Sequence, residues 1–128
     1  CDIRRIEQSI DRYGQRFLDK TFTPEEQSYC QSKARPAMSF AKRFAAKEAV
    51  AKAIAGAETG ALPWTSVRVS NDPSGRPLAQ LTGKAAKRLA GLLPDDMTGK
   101  IHLTLSDDYP YATAFAIAEA VPNVRQTP

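Results

Sequence analysis

Ala37-Met38-Ser39-Phe40-Ala41-Lys42-Arg43-Phe44-Ala45-Ala46-Lys47-Glu48-Ala49-Val50-Ala51-Lys52-Ala53-Ile54-Ala55 is rich in alanine, has no internal Gly or Pro, and is followed by Gly56. Alanine is the strongest helix former and glycine a natural terminator, so the stretch predicts one long helix over 37–55. Its apolar face is expected to carry Phe40, Phe44, Ala51 and Ile54. The flanking sequence has to supply what packs against that helix.

Upstream, Ile3, Ile6, Ile10, Tyr13 and Phe17 recur at steps of three and four, which predicts an amphipathic helix. Gly14 weakens it by about 1 kcal/mol relative to Ala, so a bend or fraying is expected there. Thr23-Pro24-Glu25-Glu26 reads as a helix start, with Thr as N-cap, Pro at the first position and Glu at the third. That short helix ends before Pro36. Downstream, Val67 and Val69 alternate with polar neighbours over Thr65–Ser70, a half-buried strand. Asn71-Asp72-Pro73-Ser74-Gly75 is turn chemistry, and Pro77–Thr82 returns as its hairpin partner. Gly83–Leu93 reads as a helix. Ile101, Leu103 and Leu105 alternate with His102, Thr104 and Ser106, giving another strand through Asp107. The Ala content of Tyr111–Glu119 leaves helix and strand both open; its place after Asp107-Asp108-Tyr109-Pro110 selects an antiparallel strand. Pro122–Pro128 is expected to be a loose tail. The order is helices, hairpin, helix, hairpin. That is an α+β fold in which an antiparallel sheet packs on the long central helix, with residues 1–121 forming a single domain.

At 128 residues the chain can bury a core without staples. Charges interrupt every apolar segment before the ~18 residues a membrane span needs, and no basic leader precedes an apolar stretch. Cys1 and Cys30 are too few for a disulfide scaffold, and the lone His102 excludes a His-rich metal site. Cytoplasmic residence without membrane contact is the expectation. Eighteen basic and 14 acidic residues give a net charge of +4, which favours an anionic partner or substrate without naming it.

Three groups of residues could carry chemistry. Glu48 and Lys52 lie one turn apart on the central helix, with Glu48 one turn beyond Phe44 at the edge of the apolar stripe and Arg43 and Lys47 nearby. A carboxylate there can hold a metal. Spacing alone reads more readily as a surface ion pair, worth about 0.3–0.5 kcal/mol. On the first helix, at 100° per residue, Arg5, Arg12 and Arg16 fall within a sector of about 40°. They form either a docking stripe for an acidic helix or a phosphate backbone, or a solvated face balanced by Glu7, Asp11 and Asp19. Finally, His102, Thr104 and Ser106 share one polar face of a strand, and Gly75-Arg76-Pro77 is a turn first and a phosphate contact second. There is no Walker-type loop and no G-x-G-x-x-G. A non-enzymatic basic module binding nucleic acid or an acidic protein is the alternative function. Against nucleic acid, aromatic and basic residues do not alternate on any strand as a stacking platform requires.

Four segments in order resemble the holo-acyl-carrier-protein synthases, the short bacterial type of 4′-phosphopantetheinyl transferase, from the first residues to about Glu119. Ile3-Arg4-Arg5-Ile6-Glu7 looks like the end of that family's opening motif. Arg43-Phe44-Ala45-Ala46-Lys47-Glu48-Ala49-Val50-Ala51-Lys52-Ala53 is similar to its R-F-(A)-x-K-E-A-x-x-K-A signature, the most specific of the four. Asn71-Asp72-Pro73-Ser74-Gly75-Arg76-Pro77 and Ile101-His102-Leu103-Thr104-Leu105-Ser106 resemble its turn and its strand. The resemblance implies Mg²⁺-dependent transfer of phosphopantetheine from coenzyme A to a serine of apo acyl carrier protein. Adenosine 3′,5′-bisphosphate is released, in the service of fatty acid biosynthesis and lipid metabolism.

Carried over, Glu48 is the metal ligand and Lys52 lies beside the pyrophosphate, with the general base open between the glutamate, the lysine and a metal-bound water. Arg43, Lys47, Gly75, Arg76, Pro77 and His102 are weaker candidates for contacting the nucleotide. Arg5, Arg12 and Arg16 suit an acidic carrier protein. The family's other metal ligand, an Asp, is expected two positions upstream of Cys1, so its opening strand is expected to be missing from this sequence; Asp2 stands three residues out of register. The short type implies a homotrimer with sites between subunits, because a single copy of the K-E-A helix is present.

Overall fold

The computed structural model describes residues 1–56 and 60–123. Asp2 caps the first helix, α1 (Ile3–Tyr13), by accepting the Arg4 amide proton. Gly14, with φ 56° and ψ −134°, then breaks the chain sharply, and α2 (Gln15–Thr21) starts in a new direction. Only glycine takes that backbone without strain, so the expected bend is a full interruption. α3 (Pro24–Gln31) opens on the expected capping box, in which Thr23 and Glu26 each satisfy the other's amide.

α4 (Pro36–Ala53) is the long helix, begun one residue early by Pro36 at its first position. It is not simply amphipathic. Phe40, Ala46 and Val50 are buried, but so are Ser39, Arg43 and Lys47, while the expected core residues Phe44 and Ala51 are only half-buried. A helix covered on most sides has no single apolar stripe.

A 3₁₀ turn (Trp64–Ser66) pushes the next strand two residues later than alternation suggested. β1 (Val67–Asn71) pairs antiparallel with β2 (Pro77–Leu81), Val69 opposite Ala79. α5 (Gly83–Leu92) leads to β3 (Met97–Asp108), which pairs antiparallel with β4 (Tyr111–Pro122), Leu103 opposite Ala116. β3 begins four residues earlier than expected because Gly99 hides the alternation: Leu89 of α5 occupies the space a Cβ there would need, at 2.6 Å. Tyr111–Pro122 is a strand, as the hairpin context required. Its alanines Ala112, Ala114, Ala116 and Ala118 point inward, where small side chains let α4 lie close, and Phe115 and Ile117 point outward. Pro122 belongs to β4, and residues 124–128 of the expected tail lie outside the described residues.

The core falls into two parts around α4. Ile3, Ile6, Leu18, Phe22 and Phe40 pack its first half, with the Phe22 and Phe40 rings 4.8 Å apart. Val50, Ile54, Val67, Val69 and Leu103 pack its second half against both hairpins. Each such side chain, fully buried, contributes about 1.5–3 kcal/mol. Among the described residues no helix is long and apolar enough to cross a membrane.

Candidate active site

Phe44, Glu48 and Lys52 stand at successive turns of α4 and face one cavity of about 460 Å³, closed on the other side by Asp2 and Arg5 at the start of α1 and by Thr113 of β4. Sequence spacing left Glu48 and Lys52 between a surface ion pair and a working pair. No ion pair joins them, and the half-buried Glu48 carboxylate has no hydrogen-bond or ion-pair partner among the described residues. An unpaired carboxylate that shares a cavity of mixed polar and apolar lining with two cationic side chains is equipped to hold a hard cation or to accept a proton.

Asp2, three residues out of register in the motif, is engaged otherwise. Its Oδ1 accepts from the Arg4 amide and Nε, both at 3.0 Å, and its Oδ2 lies 2.8 Å from Arg4 Nη2. The Arg4 hydrogen bonds hold its carboxyl below the ordinary range. Cys1 pairs with Ala112, its terminal ammonium donating to the Ala112 carbonyl and the Ala112 amide to the Cys1 carbonyl, both at 2.8 Å, and Asp2 bridges Tyr111. The first residues thus run antiparallel along β4, the place of a third strand.

Burial separates two of the predicted nucleotide contacts from the Glu48 cavity. Lys47 is 0% exposed, and its ammonium is enclosed by Glu26, the Trp64 carbonyl and the Val67 carbonyl. It leaves the set of groups that a ligand can touch. Arg43, 3% exposed, lies over the Tyr29 ring at 3.9 Å and donates from Nη2 to Asn71 Oδ1 at 2.7 Å, but its buried Nε has no partner among the described residues. It lines a smaller cavity between α3 and β1, apart from Glu48.

Asn71, which opens the turn segment that resembles the family's, links Arg43 to the next candidates because its Nδ2 donates to the Gly75 carbonyl at 3.0 Å. The turn is held by Asp72 Oδ1, which accepts from the Ser74 hydroxyl at 2.6 Å and the Ser74 and Arg76 amides at 2.9 Å. Gly75 (φ 91°) and Arg76 are exposed on this turn, and Pro77 opens β2. His102 is on the outer face of the β3–β4 hairpin, where Nε2 is 3.3 Å from Glu119 Oε1. The predicted residues therefore form three groups: the Glu48 cavity, the Arg43–Asn71–Gly75 chain, and His102 on the sheet.

The arginine stripe is also divided. A common sector for the three arginines needs one straight helix, and the break at Gly14 puts Arg16 on α2, where it shares a groove with Tyr13, Phe17 and Lys20. Arg12 lies over the Tyr13 ring at 5.5 Å, and Arg5 faces the Glu48 cavity.

Residues 1–114 match the 4′-phosphopantetheinyl transferase superfamily. The chain is 51% identical over 121 residues to the holo-[acyl-carrier-protein] synthase of Caulobacter sp. (strain K31), covering 94% of this chain and 91% of that one. Its fold is similar to the ACPS–CoA complex from Chronobacterium ammoniagenes, with TM-score 0.79 and 28% identity over 94% of this chain and 93% of that chain. It is similar also to the Helicobacter pylori holo-[acyl-carrier-protein] synthase in complex with coenzyme A, with TM-score 0.75 and 25% identity over 93% and 95%. The chain belongs to the 4′-phosphopantetheinyl transferase superfamily. Within it, the chain falls among the holo-[acyl-carrier-protein] synthases, which makes it an enzyme and displaces the alternative of a non-enzymatic basic module.

Proposed function

We propose that this protein transfers the 4′-phosphopantetheine group of coenzyme A to a serine of apo acyl carrier protein, with Mg²⁺, releasing adenosine 3′,5′-bisphosphate, in cytoplasmic fatty acid biosynthesis. The observation that carries this reading is the unpaired Glu48 carboxylate in one cavity with Lys52 and Arg5. The carrier serine hydroxyl attacks the phosphorus bearing the pantetheine arm and gives up its proton to a base in the cavity, the pyrophosphate P–O bond breaks, and the bisphosphate leaves with the electron pair. Such a reaction asks for alignment and charge neutralisation more than covalent help.

The donor set fits Mg²⁺, which favours one or two carboxylates with the remaining positions taken by phosphate oxygens and water. Glu48 would hold the ion from α4. The register of Cys1 on Ala112 carries a residue two positions upstream to Ala114, which lines the same cavity, so an Asp there would share the ion with Glu48. When bound, the ion neutralises the pyrophosphate oxygens. Lys52 adds a cation beside the breaking bond, and Phe44 walls the cavity against water. Arg43, with its partnerless Nε, and Arg76 beyond Asn71 are the nucleotide-side cations. Arg5 and Arg12 of α1 and Arg16 of α2 meet the acidic carrier.

The protein assembles as a homotrimer. Support comes from the outer face of β4, where Phe115, Ile117 and Tyr111 are 70%, 64% and 56% exposed, an apolar surface that water disfavours. Sites shared between copies account for the separation of Glu48, Arg43 and His102 within one chain. The test is incubation with coenzyme A, Mg²⁺ and apo acyl carrier protein. Intact-mass analysis is expected to show the carrier gaining one phosphopantetheine arm; no gain, in a chain that includes the upstream Asp, overturns the reading.

A further inference from the structure

α4 carries two rows of side chains one residue apart, hence about 100° apart around its axis. Phe44, Glu48 and Lys52 face the cavity. Arg43 and Lys47 face α3 and β1 instead. The Lys47 ammonium has three protons and three acceptors: Glu26 Oε1 at 2.7 Å, the Trp64 carbonyl at 2.9 Å and the Val67 carbonyl at 2.6 Å. Glu26, 2% exposed, is as fully used, accepting from the Thr23 amide through Oε1 and the Val69 amide through Oε2, both at 2.8 Å. The pair therefore joins α4 to the cap of α3, to the 3₁₀ turn and to β1. One turn earlier Arg43 repeats the attachment through Asn71 and Tyr29.

Stability alone does not call for ions here, because well-packed apolar residues serve a buried position as well or better. What directional bonds add is a fixed rotation: an apolar helix face can turn slightly on its neighbours, whereas a saturated ammonium cannot. With side-chain tips about 5–6 Å from a helix axis, a 20° turn displaces them by roughly 2 Å, and misplacement by about 1 Å can cost a hundredfold in rate.

We propose that Glu26 and Lys47 are a positioning pair that fixes the rotation of α4 and so aims Glu48 and Lys52 into the cavity. The proposal rests on the reading of Glu48 as the carboxylate that serves coenzyme A's pyrophosphate. Neither side chain lines the Glu48 cavity.

The test uses the double variant Glu26→Gln with Lys47→Met, which removes both charges and keeps the volume. Calorimetry with coenzyme A and Mg²⁺, without carrier protein, is expected to show binding weakened at least tenfold. Turnover should yield a kcat lowered at least tenfold, with the KM for carrier protein changed by less than twofold because the docking arginines are on α1 and α2. A cooperatively melting double variant that binds coenzyme A and turns over like the parent overturns the proposal. If that variant does not fold, Glu26→Asp keeps both charges and draws the lysine toward α3; it is expected to show the same split, and parent-like behaviour again overturns the proposal. Glu48→Gln separates the two readings. If it is inactive while the double variant is unaffected, only the positioning role fails; if it is fully active, the Glu48 reading fails and takes the positioning role with it.

Discussion

Glu26 and Glu48 offer one chemical change with two opposite consequences. Glu26→Gln strands the Lys47 ammonium, which is 0% exposed, without its counter-charge. Breaking a fully buried pair from one side costs about 3–5 kcal/mol. For a chain of 128 residues, each kcal/mol is worth roughly 4 °C in the melting midpoint, so a fall of about 10–20 °C is expected. Glu48→Gln breaks no hydrogen bond and no ion pair among the described residues, and it relieves a half-buried, unpaired charge. Its midpoint should stay within about 2 °C of the parent, or rise slightly, in keeping with ±0.5 kcal/mol for such a site. Activity runs the other way. Glu48→Gln should lower kcat about a hundredfold or more, the scale of losing one preorganised group at developing charge. The assay is differential scanning calorimetry of both variants beside phosphopantetheine transfer followed by intact mass. A Glu48→Gln protein that melts far below the parent yet turns over normally refutes the assignment, because Glu48 would then be a structural residue.

Other outcomes follow from the same geometry. Arg12→Glu should raise the KM for carrier protein severalfold and leave that for coenzyme A unchanged, whereas Arg5→Glu should impair both because Arg5 also faces the Glu48 cavity; steady-state kinetics with each substrate varied checks this. Phe115→Asp, placed on the outer face of β4, should shift sedimentation from trimer to monomer and remove activity with it. Gly14→Ala must hold a side chain at φ 56° and ψ −134°, a strain of about 1–3 kcal/mol that chemical denaturation will register. The Ser74 hydroxyl, followed by the Arg76 and Ser74 amides, holds the Asp72 carboxyl below its ordinary value. Its contribution to stability is therefore complete above about pH 4 and is lost as pH falls through the lowered value, so Asp72→Asn should flatten the acid limb of a stability–pH curve.

How much of this was legible in the sequence depended on whether the signal was local. The capping box at Thr23 and Glu26 and the hairpin at Asn71–Pro77 were readable because each is decided within a few residues, whereas Gly14 marked a weak point in the first helix without showing that the helix ends there. The β4 alanines were ambiguous because their reason is tertiary: they make room for a helix from elsewhere in the chain. Gly99 concealed the first turns of β3 for a similar reason, since Leu89 of α5 fills its missing side chain. On α4, spacing correctly joined Glu48 to Lys52 but could not say whether they paired with each other. Nor could it separate Arg43 and Lys47 from the cavity-facing row, because four cations on one helix look alike until their partners are known.

Those partners explain why the motif is dense. A helix that must present Phe44, Glu48 and Lys52 to a cavity has to be held by its remaining faces, and α4 is held on both: Phe40, Ala46 and Val50 in the two cores, Arg43 and Lys47 in polar sockets. On the proposed reading adjacent residues divide the work, Lys47 anchoring and Glu48 acting. The two duties differ in what a substitution does: exchanging the anchor moves every group on the helix together, whereas exchanging Glu48 removes one group and leaves the rest in place. Stability and activity measured on the same pair of variants tell the two apart.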